Sequence, residues 1–160
     1  MALDPSILKS QLETAWLVPP GGSYPENPKA SGDRFASAVA SWFSLAQANG
    51  IPCNTATARQ EQLASLVASV FSLVSTATPQ SAGQGLANAL TLYFTGQMFG
   101  AGVAAPPTGS AAAVTAFSAA FANLELPNAA RAQQFASACQ TLALTTLVNF
   151  PPPMPPSLVT

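Results

Sequence analysis

Residues 62 to 124 contain no Asp, Glu, Lys or Arg. A free helical bundle sets apolar stripes against charged faces, and a run this long without charge cannot build such faces. Over the whole 160-residue chain charged residues make up 7%, and histidine is absent. An average soluble domain carries roughly 25%. Hydrophobic residues reach 49%, so a core is affordable and the pattern is the reverse of disorder. A surface this bland suits packing against other proteins.

Punctuation along the chain predicts helices. Asp4-Pro5 is an N-cap followed by proline at the first helical position, opening a helix that reaches Trp16 or Leu17. Residues 18–31, rich in Pro and Gly, predict a loop. A second helix is expected over 32–49 with Gly50 as its stop, and a third over 57–75. Thr78-Pro79 repeats the cap signal and opens a fourth, ending between Gly96 and Gly100. Residues 101–109 predict a loop, Ser110 caps a fifth helix to Leu124, and Pro127-Asn128 opens a sixth to Asn149.

The apolar spacing agrees. Leu63, Leu66, Val67, Val70, Phe71 and Val74 recur at helical period. So do Phe35, Val39, Trp42 and Ala46; Leu86, Leu90, Tyr93 and Phe94; and Val114, Phe117, Phe121 and Leu124. Opposite the stripe of the third helix stand Ala64, Ser65, Ala68, Ser69 and Ser72, a small-residue face able to take another helix. Residues 35–45 match residues 63–73 at eight of eleven positions, which suggests duplicated helical hairpins. The fold class expected is all-α, a compact bundle of five to six helices. It forms a single domain over 1–149, followed by an extended Pro-rich C-terminal arm over 150–160.

Catalytic patterns are missing. Without His there is no Ser-His-Asp or Cys-His arrangement, and Cys53 and Cys139 alone build no common zinc site. These two cysteines read as small buried thiols, with one bridge left open. The carboxylates are Asp4, Glu13, Glu26, Asp33, Glu61 and Glu125, and their spacing suggests no glycosidase-like pair. Asp4 reads as a cap, Asp33 as a first-turn residue suited to the helix dipole, and Glu61 as solvated. No phosphate loop is present, and a net charge of −1 offers no basic patch to nucleic acid. The most apolar stretches, 63–75 and 86–105, are too short or too interrupted to span a membrane. The N-terminus has no signal-peptide pattern, so synthesis in the cytoplasm is expected. The expectation is a non-enzyme with no cofactor, metal, nucleic acid, membrane or small-molecule substrate.

Interaction signals lie in the loops and at the end of the chain. Tyr24 is the candidate aromatic anchor of the first loop. Pro151, Pro152, Pro153, Pro155 and Pro156 favour polyproline II, about 19 Å long at ~3.1 Å per residue. Phe150 would hold the start of this arm, Met154 lies within it, and Leu158 and Val159 would hold its end against a neighbouring subunit. Low charge also predicts self-association of the isolated chain.

Met1-Ala-Leu-Asp-Pro-Ser-Ile-Leu-Lys9, the Ala/Ser helices, Pro106-Pro107-Thr108-Gly109 and Phe150-Pro-Pro-Pro-Met-Pro-Pro156 together resemble virion structural proteins of tailed bacteriophages. Those are Ala-rich, charge-poor and helical, and close with a Pro-rich tail. The resemblance covers most of the chain by composition and rhythm. It implies a multi-copy component of the neck, tail or baseplate, made in the host cytoplasm and placed in the virion, contacting copies of itself and other virion proteins. It carries no catalytic residue across. Other readings of the same composition are a capsid decoration protein, a membrane-active helical protein and a small carboxylate-dependent hydrolase.

Overall fold

A computed structural model describes residues 3–17, 25–74 and 76–160. Among these, six helices and six short strands form three similar units. The first unit is helix α2 (Pro28–Phe43), strands β1 (Gln47–Ala48) and β2 (Ile51–Pro52), and helix α3 (Gln60–Leu73). The second is α4 (Pro79–Phe94), β3 (Met98–Phe99), β4 (Gly102–Ala104) and α5 (Ser110–Ala122). The third joins both ends of the chain. It contains α6 (Asn128–Leu144), β5 (Leu147–Asn149) and β6 (Ser157–Leu158), with α1 (Pro5–Ala15) packed on α6 as its outer helix.

The inner helices α2, α4 and α6 bury matching positions. Phe35, Leu86 and Phe135 correspond, as do Val39, Leu90 and Cys139, Trp42, Tyr93 and Leu142, and Phe43, Phe94 and Ala143; all are buried. Aromatic side chains fill two levels. Trp16 stacks on Phe71 at 5.4 Å and meets Phe35 and Phe135 edge-on, each at 5.0 Å. Nearer the strands, Phe43 lies 4.6 Å from Phe94 and 6.2 Å from Phe99. Polar tips on the inner helices hold the segments that enter neighbouring outer helices. The Trp42 indole N–H donates to the Asp4 carbonyl at 2.8 Å, and the Tyr93 hydroxyl donates to that of Ala56 at 2.7 Å.

The strands close a ring. Within each unit a hairpin bond recurs: Cys53 N–H to Ala46 O, Ala104 to Gln97, and Val159 to Thr146, at 2.9, 2.9 and 3.1 Å. Between units the bonds run from Asn54 N–H to Met98 O, Ala105 to Leu147, and Thr160 to Gln47, at 3.0, 2.8 and 2.8 Å. Gln47 N–H also donates back to Thr160 O at 3.0 Å. Each inter-unit bond ties a residue just after one unit's second strand to the next unit's first strand, linking the two-stranded sheet β1-β2 and the four-stranded sheet β3-β4-β5-β6 into a ring.

Several expectations change. Helix α2 starts at Pro28, capped by the Asn27 side chain on Ala30 N–H at 2.9 Å, and ends at Phe43, not Asn49. Asn49 and Gly50 are the two-residue loop of a hairpin, with φ of 52° and 75°. Positive φ at both positions is the turn that Asn-Gly favours between antiparallel strands. Helices α4 and α6 likewise give way to hairpins, and part of the expected loop 101–109 is strand β4. The bundle is therefore mostly helical but not purely so. The repeat is also different: α2 corresponds to α4 and α6, not to α3.

The extended arm is corrected as well. Residues 150–160 form the outer part of the third hairpin within their own chain. Leu158 pairs with Leu147 in β5, and Val159 is 1% exposed. Apolar burial and backbone pairing with Gln47 hold this segment down, as their counterparts hold Cys53 and Ala104. Seven residues separate the bonded pair in the first two hairpins and thirteen in the third. Residues 151–156 make up the difference. They do not run as a polyproline arm, because Met154 N–H returns to Pro151 O at 3.2 Å in a turn.

Candidate interaction surfaces

Three surfaces stand out. The first is the outer face of strands β3 to β6. Side chains alternate with period two: Phe99, Gly102, Ala104, Val148 and Val159 point inward and are buried. Outward stand Met98, Val103, Leu147, Asn149 and Leu158, with Val103 43% and Leu158 52% exposed. Register joins them across the sheet, Met98 to Val103, Val103 to Asn149, and Leu147 to Leu158. An antiparallel sheet with one solvated face normally turns polar residues outward, and this one turns out Met, Val and Leu. No charged residue occurs in 44–58, 95–109 or 145–160, the segments that build the strand ring.

The proline loop adjoins this face. Pro151, Pro152, Pro153, Met154, Pro155 and Pro156 are all exposed. The loop is fastened at both ends. Phe150 is buried against Gly102, whose absent side chain makes room for the ring. The Asn49 amide donates to the Pro155 carbonyl at 2.9 Å, and Asn49 N–H donates to Ser157 Oγ at 3.3 Å. Of the residues expected to touch a partner, Phe150 and Val159 are therefore spent on the chain's own core. Leu158, Met154 and the prolines remain on the surface. Tyr24 lies outside the described residues.

The second surface is a groove of about 850 Å³ between α2 and α3, lined by Pro28, Lys29, Asp33, Gln60, Glu61 and the small-residue face Ala64, Ser65, Ala68, Ser69 and Ser72. The two helices cross closely at Gly32, where an added Cβ would sit 2.6 Å from Ala64 O and 2.9 Å from Ala68 N. Lys29 and Asp33 pair at 2.7 Å at the groove's charged end. That bond and the Asp33 charge hold the ammonium above the usual lysine range. The third surface lies at the far ends of the outer helices, where Leu73 is 61% and Leu124 82% exposed.

Polar and reactive groups inside serve the fold. Gln97 is fully buried; its Nε2 donates to Tyr93 O at 2.9 Å, and its Oε1 accepts from the Thr55 hydroxyl at 2.6 Å. Thr55 Oγ1 in turn accepts from Met98 N–H at 2.9 Å, stitching β3 to the segment after β2. Both thiols are free and buried. Cys139 fills the place of Val39 and Leu90, and Cys53 that of Ala104 and Val159. Loss of hydration raises both thiols above their ordinary range, most strongly at Cys139. They are packing atoms, and the repeat shows why sequence spacing alone left their role open.

The carboxylates are dispersed. Asp4 caps α1, accepting from Ser6 N–H at 2.8 Å, which lowers its pKa. Asp33 faces Lys29, and Glu26, Glu61 and Glu125 are exposed. Among the described residues no three His, Cys, Asp or Glu side chains come together as a metal would require. No described helix is long and apolar enough to cross a membrane. Comparison with protein-family models, curated proteins and solved structures finds no match.

Proposed function

We propose that this protein is a structural subunit of an assembled particle and acts by packing uncharged surfaces together, without catalysis. The observation that supports this most is the outward face Met98–Val103–Leu147–Leu158. It is apolar where a solvated sheet is polar, and it lies on a strand ring built from segments without charge. Exposed apolar surface that is contiguous marks contact with another molecule. Backbone bonds from Asn54 to Met98 and between Gln47 and Thr160 occupy the sides of β3 and β1 that face away from their own hairpins, which supports contact through side chains over strand addition.

The particle we propose is a tailed-bacteriophage virion, with this chain in its neck, tail or baseplate. That placement rests on the resemblance in composition and rhythm described above. Quantitative mass spectrometry of gradient-purified virions produced from the encoding genome tests it. The chain is expected at a fixed multi-copy ratio to the other structural proteins. Its absence from purified particles, with accumulation in the infected-cell lysate, would overturn the proposal.

A further inference from the structure

We propose that α1 is a releasable strap, a helix that lifts off α6 and α2 as a unit while the rest of the fold stays closed. This role is independent of the assembly reading above. The three outer helices occupy equivalent places and are held in different ways.

Leu8 and Leu12 of α1 are buried as Leu63 and Val67 are in α3, and Ala113 and Phe117 in α5. This correspondence aligns the three helices. Helices α3 and α5 each follow their own unit's second strand after a short connection. Backbone bonds fasten those connections. Asn54 N–H reaches Met98 O at 3.0 Å before α3, and before α5 Ala105 N–H reaches Leu147 O at 2.8 Å and Thr108 N–H reaches Thr145 O at 3.2 Å. Helix α1 is not continuous with β6. Among the described residues, no backbone–backbone bond joins 3–17 to the rest of the chain. Side chains hold it instead. The Trp42 indole donates to Asp4 O at 2.8 Å, Gln140 Nε2 to Leu3 O at 3.0 Å, and the Trp16 indole to Ser31 Oγ at 2.8 Å.

The crossing is also less intimate. Gly32 and Gly83 let α3 and α5 approach closely at Ala68 and Ser118. The corresponding pair in the third unit is Ala132 and Glu13, and α1 meets α6 less extensively than α3 meets α2 or α5 meets α4. Gln11 stands at the place of Leu66 and Ala116, which pack on the core. Its Oε1 is buried without a hydrogen-bond partner among the described residues. Such an atom regains water when the helix lifts.

Burial of Leu3, Leu8 and Leu12 keeps the strap down most of the time. A helix of 11 residues does not persist alone in water, so release of α1 and its unfolding coincide. Release bares the rings of Phe35, Phe71 and Phe135 that Trp16 covers. The strap therefore controls when this apolar surface is exposed, with the strand ring intact.

Native-state hydrogen exchange separates local opening from global unfolding and tests the proposal in wild type and two variants. In wild type the amides from Lys9 to Trp16, corrected for intrinsic rates, should exchange together. They should do so about tenfold or more faster than the slowest amides of α4 and α6, with a weaker dependence on low urea. Gln11→Leu should slow them about tenfold, because it removes the unpaired buried oxygen. Gly83→Ala acts at the α4–α5 crossing. It should speed the slowest amides of α4 and α5 about tenfold and leave Lys9 to Trp16 unchanged, since α1 opens without parting α4 from α5. Protection of α1 equal to that of α6 overturns the proposal. So does protection that rises steadily from Lys9 to Trp16, which is the fraying of a helix end. An α1 that Gly83→Ala accelerates as much as α4, or that Gln11→Leu leaves unchanged, overturns it as well.

Discussion

At the scale of single residues, the fold is explained by what its few polar atoms and thiols replace. Cys139 and Cys53 occupy sites that are Val, Leu or Ala in the other units, so their burial follows from the repeat. Neither thiol should react with Ellman's reagent in the native state, and both should react fully in denaturant. The same burial has a pH signature. Each folded thiol holds its proton more tightly than an unfolded thiol, whose pKa is near the ordinary 9.0. Below that value both states are protonated and stability is constant. Above it the unfolded chain releases protons that the native chain retains, so stability falls, by up to about 1.4 kcal/mol per pH unit for each thiol. Urea titrations at pH 7, 9 and 10 should show a declining midpoint. An unchanged midpoint at pH 10 would contradict the burial of both groups.

At the scale of elements, helix contacts depend on small residues where backbones approach. Gly32 and Gly83 hold corresponding positions in α2 and α4. At Gly83 an added Cβ would meet the Ser118 hydroxyl and sit 2.6 Å from Ser118 N. Backbone cannot yield as a side-chain tip can. Gly83→Ala should therefore destabilise the protein by about 1–3 kcal/mol through overpacking, despite the better helix propensity of alanine, as read from urea denaturation. The corresponding residue in α6 is Ala132, buried without such a conflict. The small-residue face of α3 was legible from its sequence period, and it does line a groove. The hairpins were written in the sequence too, as Asn49-Gly50 and Gly100-Ala101 turn pairs. In the sequence these pairs look like helix ends, because a single strand of two or three residues shows no periodicity of its own.

At the scale of the molecule, closure is the main device. The third unit takes its outer helix from one end of the chain and its strands from the other, so contacts distant in sequence hold the ring shut. Removing residues 151–160 should lower stability by several kcal/mol. It exposes core around the buried Val159, worth about 1.5–3 kcal/mol, and strips Gln47 of its two backbone bonds to Thr160. A sharply lower thermal midpoint is expected, and an unchanged one would show that the strand ring carries no stability. The complementary experiment rejoins the ends. A circular permutant linking Thr160 to Leu3 through a short linker, and opened between α3 and α4, should fold with wild-type helicity. The first two units make the same step, from Asn54 to Gln60 and from Ala105 to Ser110, in a handful of residues. A permutant that fails to fold would sink the reading of α1 as the third unit's outer helix.

Five to six helices, the caps at Asp4 and Thr78, the apolar stripes and the poverty of charge are all readable along the chain. These are local or compositional properties, set by propensity, capping and period along a few turns. The threefold repeat, the strand ring and the placement of the last eleven residues arise only from contacts between distant segments. An Ala/Ser-rich helix resembles every other such helix, so residues 35–45 match 63–73 at eight of eleven positions but their structural counterparts 86–96 and 135–145 at only three and four. The last residues looked like a free arm because proline suggests extension. What holds them is pairing with Gln47 and burial of Phe150 and Val159, interactions that exist only once distant segments are brought together.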